Sequence, residues 1–116
     1  MRFENPLRLT REQAAADLGS NDSQKRIDAL LSLALYDPDW RWVQDQVVRL
    51  FADPDRDVVA TAILGLAHLA RLHRQLDLDR VLPLLKVLEA DPWFASRVSD
   101  TYDDIRVFVP DAKGRI

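Results

Sequence analysis

Apolar residues recur along most of the chain at the three- and four-residue spacing of an amphipathic α-helix. The pattern predicts helices at about 11–18, 23–36, 38–52, 54–73 and 92–109. One more helix is predicted to end near Ala90, and either Asp77 or Asp79 is suited to begin it. Because no stretch alternates apolar and polar residues as a half-buried strand would, we predict an all-α domain of five or six helices.

The predicted helix at about 54–73 differs from the others because apolar residues occupy nearly all of its sides. They are Val58, Val59, Ala62, Ile63, Leu66, Leu69 and Ala70. A helix that is apolar all round is normally packed between neighbours. We therefore expect this helix at the centre of the domain, with Leu66 fully buried.

Aspartate accounts for 16 of the 19 acidic residues. It is a poor residue inside a helix but a good N-cap, so many helix starts explain its abundance. Each of three helical patterns is preceded by an Asp-Pro pair, at Asp37-Pro38, Asp53-Pro54 and Asp91-Pro92. We interpret each pair as an N-cap followed by the first helical residue, where proline leaves no amide unpaired. Thr10 and Gln13 predict a capping box for the first helix.

The sequence also contains a degenerate repeat. A shift of 33 residues places Leu31–Ala34 over Leu64–Ala67, and a shift of 38 residues places Ala52–Pro54 over Ala90–Pro92. Self-similarity at this spacing, with one helical hairpin per unit, is typical of an α-solenoid. We expect antiparallel hairpins at about 23–52 and 54–90.

Two segments of this repeat resemble the HEAT-repeat family. DPDRDVVATAILGLAHLA (53–70) is similar to the first helix of such a repeat, and VLPLLKVLEAD (81–91) is similar to its second helix. Val59 departs from the family, which often has arginine there. The resemblance implies a short right-handed α-solenoid in one domain, 1–116, with a repeat core at about 22–109 and irregular ends at 1–9 and 110–116. It specifies a fold better than a function.

The C-terminal part resembles a narrower group. LARLHRQLDLDRVLPLL (69–85) and VSDTYDDIRVFV (98–109) are similar to segments of short HEAT-like immunity proteins of bacterial polymorphic and contact-dependent toxins. The resemblance implies a protein-binding module that neutralises a cognate toxin by direct binding. The alternative is a general interaction scaffold or adaptor, or a subunit of a larger assembly.

Composition narrows the classes of function. The chain has no cysteine, which excludes disulfides and thiolate metal sites, and its net charge of −3 argues against a nucleic-acid partner. No segment approaches the ~20 apolar residues that span a bilayer, and the first residues lack the apolar run of a signal peptide. We therefore expect a cytoplasmic protein with no membrane partner.

Little in the sequence suggests catalysis. His68 and His73 are five residues apart, hence ~140° apart around a helix, and cannot share a ligand on one face. No nucleophile lies in a local motif with a base, and there is no glycine-rich phosphate loop. We expect no enzymatic activity, no metal site and no bound cofactor.

Three aspartates of the last predicted helix are candidates for partner binding. Asp100, Asp103 and Asp104 are spaced to form one acidic face, where like charges repel slightly. Such a face is compatible with an ordinary solvated surface, with a contact for a basic partner such as a toxin domain, or with a divalent cation held with outside ligands. The functional hypothesis is the basic partner.

Trp42 is a fourth candidate. Its neighbours on the predicted helix are polar, so it points away from the stripe formed by Trp40, Val43 and Val47. An outward tryptophan is a frequent anchor in protein interfaces. The alternative is that an adjacent hairpin or the N-terminal segment covers it.

Overall fold

Six α-helices and a short 3-10 helix follow one another in the computed structural model, which describes residues 8–116. The helices are α1 (Arg11–Asp17), α2 (Ser23–Tyr36), α3 (Trp40–Leu50), α4 (Arg56–His73), α5 (Leu78–Glu89) and α6 (Ala95–Phe108), and the 3-10 helix is Pro110–Ala112. No strand occurs in this part of the chain. The predicted all-α class with five or six helices is confirmed.

The helices form two layers. In the first layer α4 lies between α2 and α6. Hydrogen bonds between corresponding positions show that the three helices run in the same direction. Arg26 at the start of α2 pairs with Asp53 before α4, and Thr101 of α6 donates a hydrogen bond to the carbonyl of Ile63. The second layer contains α1, α3 and α5, each of which packs on the first-layer helix that follows it in sequence. This is the stacked arrangement of helices expected of a solenoid.

The pairing of helices differs from the predicted hairpins. The ranges 23–52 and 54–90 pair α2 with α3 and α4 with α5, whereas α3 packs more extensively on α4, and α5 packs on α6. The hairpins are therefore α1–α2, α3–α4 and α5–α6. The short α1 supplies the partner of α2. Because all connections have three to five residues, their lengths do not distinguish the two pairings.

The apolar character of α4 places it at the centre of the core. Nine of its residues are buried, and Leu66 is fully buried as predicted. Gly65 permits the close approach of α3, because a Cβ atom there would lie 3.3 Å from a methyl group of Val47. Helix α4 thus packs on α2, α6 and α3 at once.

The three Asp-Pro pairs precede the helices, and each N-cap follows its Asp-Pro aspartate by two or three residues. Each of these aspartates accepts a hydrogen bond at 2.8–2.9 Å from the amide two residues further on, in Asp39, Asp55 and Trp93. The proline therefore lies in an Asx-type turn before the helix and not at its first position. The N-caps are Asp39, Asp55 and Phe94. The capping box of Thr10 and Gln13 is confirmed.

Two of these turn aspartates also bind arginines of neighbouring helices. Arg26 donates two hydrogen bonds to Asp53, at 2.9 and 3.1 Å, and a third to the carbonyl of Ser20. Arg11 of α1 binds both oxygens of Asp37 at 2.6 and 2.7 Å. The Arg11 guanidinium holds the pKa of Asp37 below its usual value. These bidentate pairs fix the helix connections to the helices beside them.

Helix α5 begins after Asp77, one of the two residues, Asp77 and Asp79, that were predicted to begin it. Asp77 occupies the N-cap without a side-chain hydrogen bond, and Asp79 lies in the first turn. Pro83 therefore lies inside the helix, deeper than a cap at Asp79 would place it. It faces solvent, so water can bind the carbonyl that lacks an amide donor.

The C-terminal segment is more ordered than the irregular end expected at 110–116. Ala112 of the 3-10 helix is fully buried, and Ile116 packs against the core. Arg115 binds Asp79 of α5 at 2.7 Å. The segment therefore closes one end of the α5–α6 hairpin.

We expect Leu66→Ala to lower the free energy of unfolding by ~2–5 kcal/mol, because it removes buried apolar surface and leaves a cavity among three packed helices. Urea unfolding followed by circular dichroism measures the change. Leu64→Ala, on the same helix but 44% exposed, is the matched control and should cost far less. A cost below ~1 kcal/mol for Leu66→Ala would contradict the central position of α4.

The lowered pKa of Asp37 predicts a pH dependence of stability. A carboxyl whose pKa is lower in the folded state stabilises it above the unfolded pKa of ~3.9, and this contribution disappears as the pH falls through the folded value. The difference in unfolding free energy between wild type and Asp37→Asn should therefore be largest near neutral pH and shrink in acid. Urea unfolding at several pH values tests this, and a difference independent of pH would refute it.

Candidate protein-interaction surface

The first layer presents an open surface, here called the outer face, on the side opposite the second layer. Its members are the exposed or half-buried side chains that recur at helical spacing on α2, α4 and α6. They are Gln24, Asp28, Leu31, Asp57, Thr61, Leu64, His68, Arg71, Arg97, Asp100 and Asp104. The face mixes apolar, acidic and basic groups, as the surfaces of transient interfaces do.

A groove of about 260 Å³ runs along the outer face between α4 and α6. Small side chains, Ala60 and Ala67 on α4 and Thr101 on α6, form its inner part. Thr101 is buried and donates its hydroxyl to the Ile63 carbonyl at 3.4 Å, which satisfies the polar group. Leu64 lines the groove with its side chain exposed to solvent.

The three predicted aspartates have different environments. Asp104 lines the groove and binds Arg71 of α4 at 2.6 Å. Asp103 lies outside the groove and pairs with Arg106 of its own helix at 2.8 Å. Asp100 lines the groove and has no ion-pair partner in residues 8–116. The structure therefore brings Asp100 and Asp104 together with α4 and leaves Asp103 on another side of α6.

His68, Arg71 and Asp104 form a short network on the outer face. Arg71 donates from Nη1 to Asp104 and from Nη2 to Nδ1 of His68, the latter at 2.5 Å. Because a guanidinium carries only donors, Nδ1 must be the acceptor and the ring is neutral. Burial, together with the Arg71 charge, lowers the pKa of His68, and the Asp104 carboxylate opposes this shift.

Arg97, which lines the groove from α6, contacts an aromatic ring. The guanidiniums of Arg56 and Arg97 both lie 4.4 Å from the ring centre of Trp93. Arg97 also donates to the Trp93 carbonyl at 2.9 Å. Arg97 therefore contacts Trp93 and forms no ion pair with Asp100.

Trp42 is separated from the aspartates. It lies at the start of α3 in the second layer, is half-buried and packs against the core. The guanidinium of Arg11 lies 4.6 Å from its ring centre. Helix α1 therefore covers part of the ring through Arg11, and a role of Trp42 in partner binding stays a prediction.

Sequence reasoning did not identify Leu64 or the pairing of Arg71 with Asp104. A signal for Leu64 was present, because it lies on the opposite side of α4 from Ala62, Leu66 and Leu69 at a period of 3.6 residues. The Arg71–Asp104 pair spans 33 residues, and no local pattern reveals it.

The described residues lack the features of two other classes of function, metal binding and membrane insertion. They contain no group of three or more histidine or acidic side chains arranged to hold a metal ion. None of their helices has both the length and the apolar character needed to cross a membrane.

Comparison with known proteins gives a relative that matches most of the chain. The chain is 32% identical to a chain in the crystal structure of a CDI complex from Cupriavidus taiwanensis LMG 19424, with a TM-score of 0.81. The match covers 93% of this chain and 97% of that one. This protein belongs to the same family as that subunit. No protein-family model matches the sequence, and no curated protein matches it, so the HEAT-repeat resemblance stays a prediction.

The contacts of His68 predict that the pKa of its ring is lower than usual. In wild type the NMR titration of the His68 ring should have a midpoint below the ordinary value of 6.5, because burial and Arg71 disfavour the imidazolium. Replacing Arg71 with Gln removes the nearby positive charge and should move the midpoint upward. A wild-type midpoint at or above 6.5 would contradict the arrangement of His68, Arg71 and Asp104.

Proposed function

We propose that this protein is an immunity protein that neutralises a cognate bacterial toxin by binding it directly. The observation that carries the proposal is the nearly full-length match, at 32% identity, to a subunit of a CDI complex. CDI stands for contact-dependent inhibition, in which a toxin is paired with an immunity protein. The independent resemblance of 69–85 and 98–109 to immunity proteins supports the same role.

The architecture suits inhibition by occlusion. The core is continuous through both layers, and α4 is packed on three sides, so the surface side chains are held on a rigid frame. A preorganised surface loses little conformational entropy on binding. We propose that the protein blocks the toxin by covering it, without a reaction of its own, in the cytoplasm of a bacterium.

The residues predicted from the sequence remain proposed contacts, with unequal roles. Asp100 and Asp104 lie in the groove of the outer face, whereas Asp103 is outside it. Trp42 belongs to the second layer and is partly covered by Arg11. We therefore place the main contact on the outer face and assign Trp42 at most a separate, peripheral one.

The test uses the toxin domain encoded next to this protein in the same genome. Cells that express this domain should grow only when they also express the protein, and an inactivated toxin domain should bind it in isothermal titration calorimetry. Affinity should fall as salt rises, because opposed surface charges assist association. An immunity protein from an unrelated toxin pair is the control for specificity. Absence of both binding and protection would refute the immunity role, and binding without protection would favour a scaffold.

A further inference from the structure

Leu64 is one of two exposed leucines of α4, the other being Leu72 at the end of the helix. It is 44% exposed in the middle of the central helix, while Ile63, Gly65 and Leu66 beside it are buried. It borders the groove, where the alanines of α4 leave room for an inserted side chain. An exposed apolar residue at the centre of a face, with polar groups around it, is the usual arrangement of an interface core and its rim.

The charges around Leu64 leave the outer face acidic. Asp28, Asp57 and Asp100 lie on α2, α4 and α6 respectively, and none of them has an ion-pair partner in the described part of the chain. The arginines of the face are engaged within the protein, Arg71 with Asp104 and His68, and Arg97 on Trp93. The charged groups of the outer face that have no ion-pair partner among the described residues are therefore carboxylates.

Asp100 is the carboxylate best placed to bind together with Leu64. It lines the same groove from the α6 side, whereas Asp57 lies in the first turn of α4 and Asp28 lies on α2. A carboxylate at the edge of an apolar groove is partly shielded from water by a bound partner, and this strengthens its pairing with a cation. A ligand for this site therefore needs an apolar group and a basic group side by side.

We infer that the outer face is the toxin-binding surface, and that the toxin places an apolar side chain in the α4–α6 groove against Leu64 and a lysine or arginine on Asp100. This inference rests on the proposed function. It narrows the predicted acidic site, because Asp103, on the same helix, is outside the contact.

Two matched pairs of variants test the inference. Asp100→Lys reverses a charge in the groove, and Asp103→Lys makes the same change outside it on the same helix. Leu64→Ala shortens the exposed leucine of the groove, and Leu72→Ala shortens a leucine that is 54% exposed at the end of α4 and does not line it. Circular dichroism and urea unfolding show that each variant is folded before binding is measured.

The probe is the inactivated toxin domain encoded beside this protein, titrated at low and high salt. Asp100→Lys and Leu64→Ala should each weaken binding by roughly tenfold or more, and Asp100→Lys should also reduce the salt dependence. Asp103→Lys and Leu72→Ala should stay within about threefold of wild type, as most peripheral positions do.

The outcomes separate this inference from the proposed function. If wild type binds the toxin and protects cells, but the groove variants bind as well as their controls, the outer face is not the interface and the immunity role stands. Equal losses in the groove variants and their controls would overturn the inference in the same way. If wild type itself does not bind the toxin domain, the proposed function fails and the inference fails with it.

Discussion

The position of each first-layer helix depends on the burial of apolar surface on α4. Its side chains meet α2 on one side and α6 on the other, and Gly65 lets α3 approach from the second layer. Close packing of this kind is sensitive to the loss of a few methylene groups. The outer face is the side of α4 that residues 8–116 leave open, so the same packing that stabilises the domain also holds Leu64 and the groove in place.

Most of the abundant aspartate in this chain has a structural role. Asp22, Asp39 and Asp55 accept amide hydrogen bonds at helix starts, and the three Asp-Pro turns use another three aspartates. Two more, Asp45 and Asp104, pair with arginines of other helices, and Asp79 pairs with Arg115 of the C-terminal segment. The acidic composition is therefore a weak indicator of a binding surface. Asp100, like Asp28 and Asp57, has neither a capping role nor an ion-pair partner in residues 8–116. What distinguishes Asp100 from those two is its position in the α4–α6 groove.

The sequence predicted features that depend on local patterns. It gave α2 with the bounds found in the structure and identified α4 as the central helix, because both depend on the period of apolar residues. It misplaced the Asp-Pro turns, because an Asx turn and an N-cap require the same residue types. It missed the pairing of α1 with α2, because a seven-residue helix with one buried residue has almost no apolar period. The acidic site was identified in part, since only the packing of α6 on α4 separates Asp100 and Asp104 from Asp103.

The order of the helices in the two layers also affects how the chain folds. Each pair of helices with extensive contact is adjacent in sequence or separated by one helix, as in α2 with α4 and α4 with α6. Native contacts therefore join segments that are near each other along the chain, and proteins with such local topology fold in microseconds to milliseconds. The α1–α2 and α3–α4 hairpins can pack before α5 and α6 leave the ribosome, because domains emerge from the N-terminus at ~5–20 residues per second. The time needed to synthesise the chain, and not the time needed to fold it, then determines how soon the outer face is available in the cell.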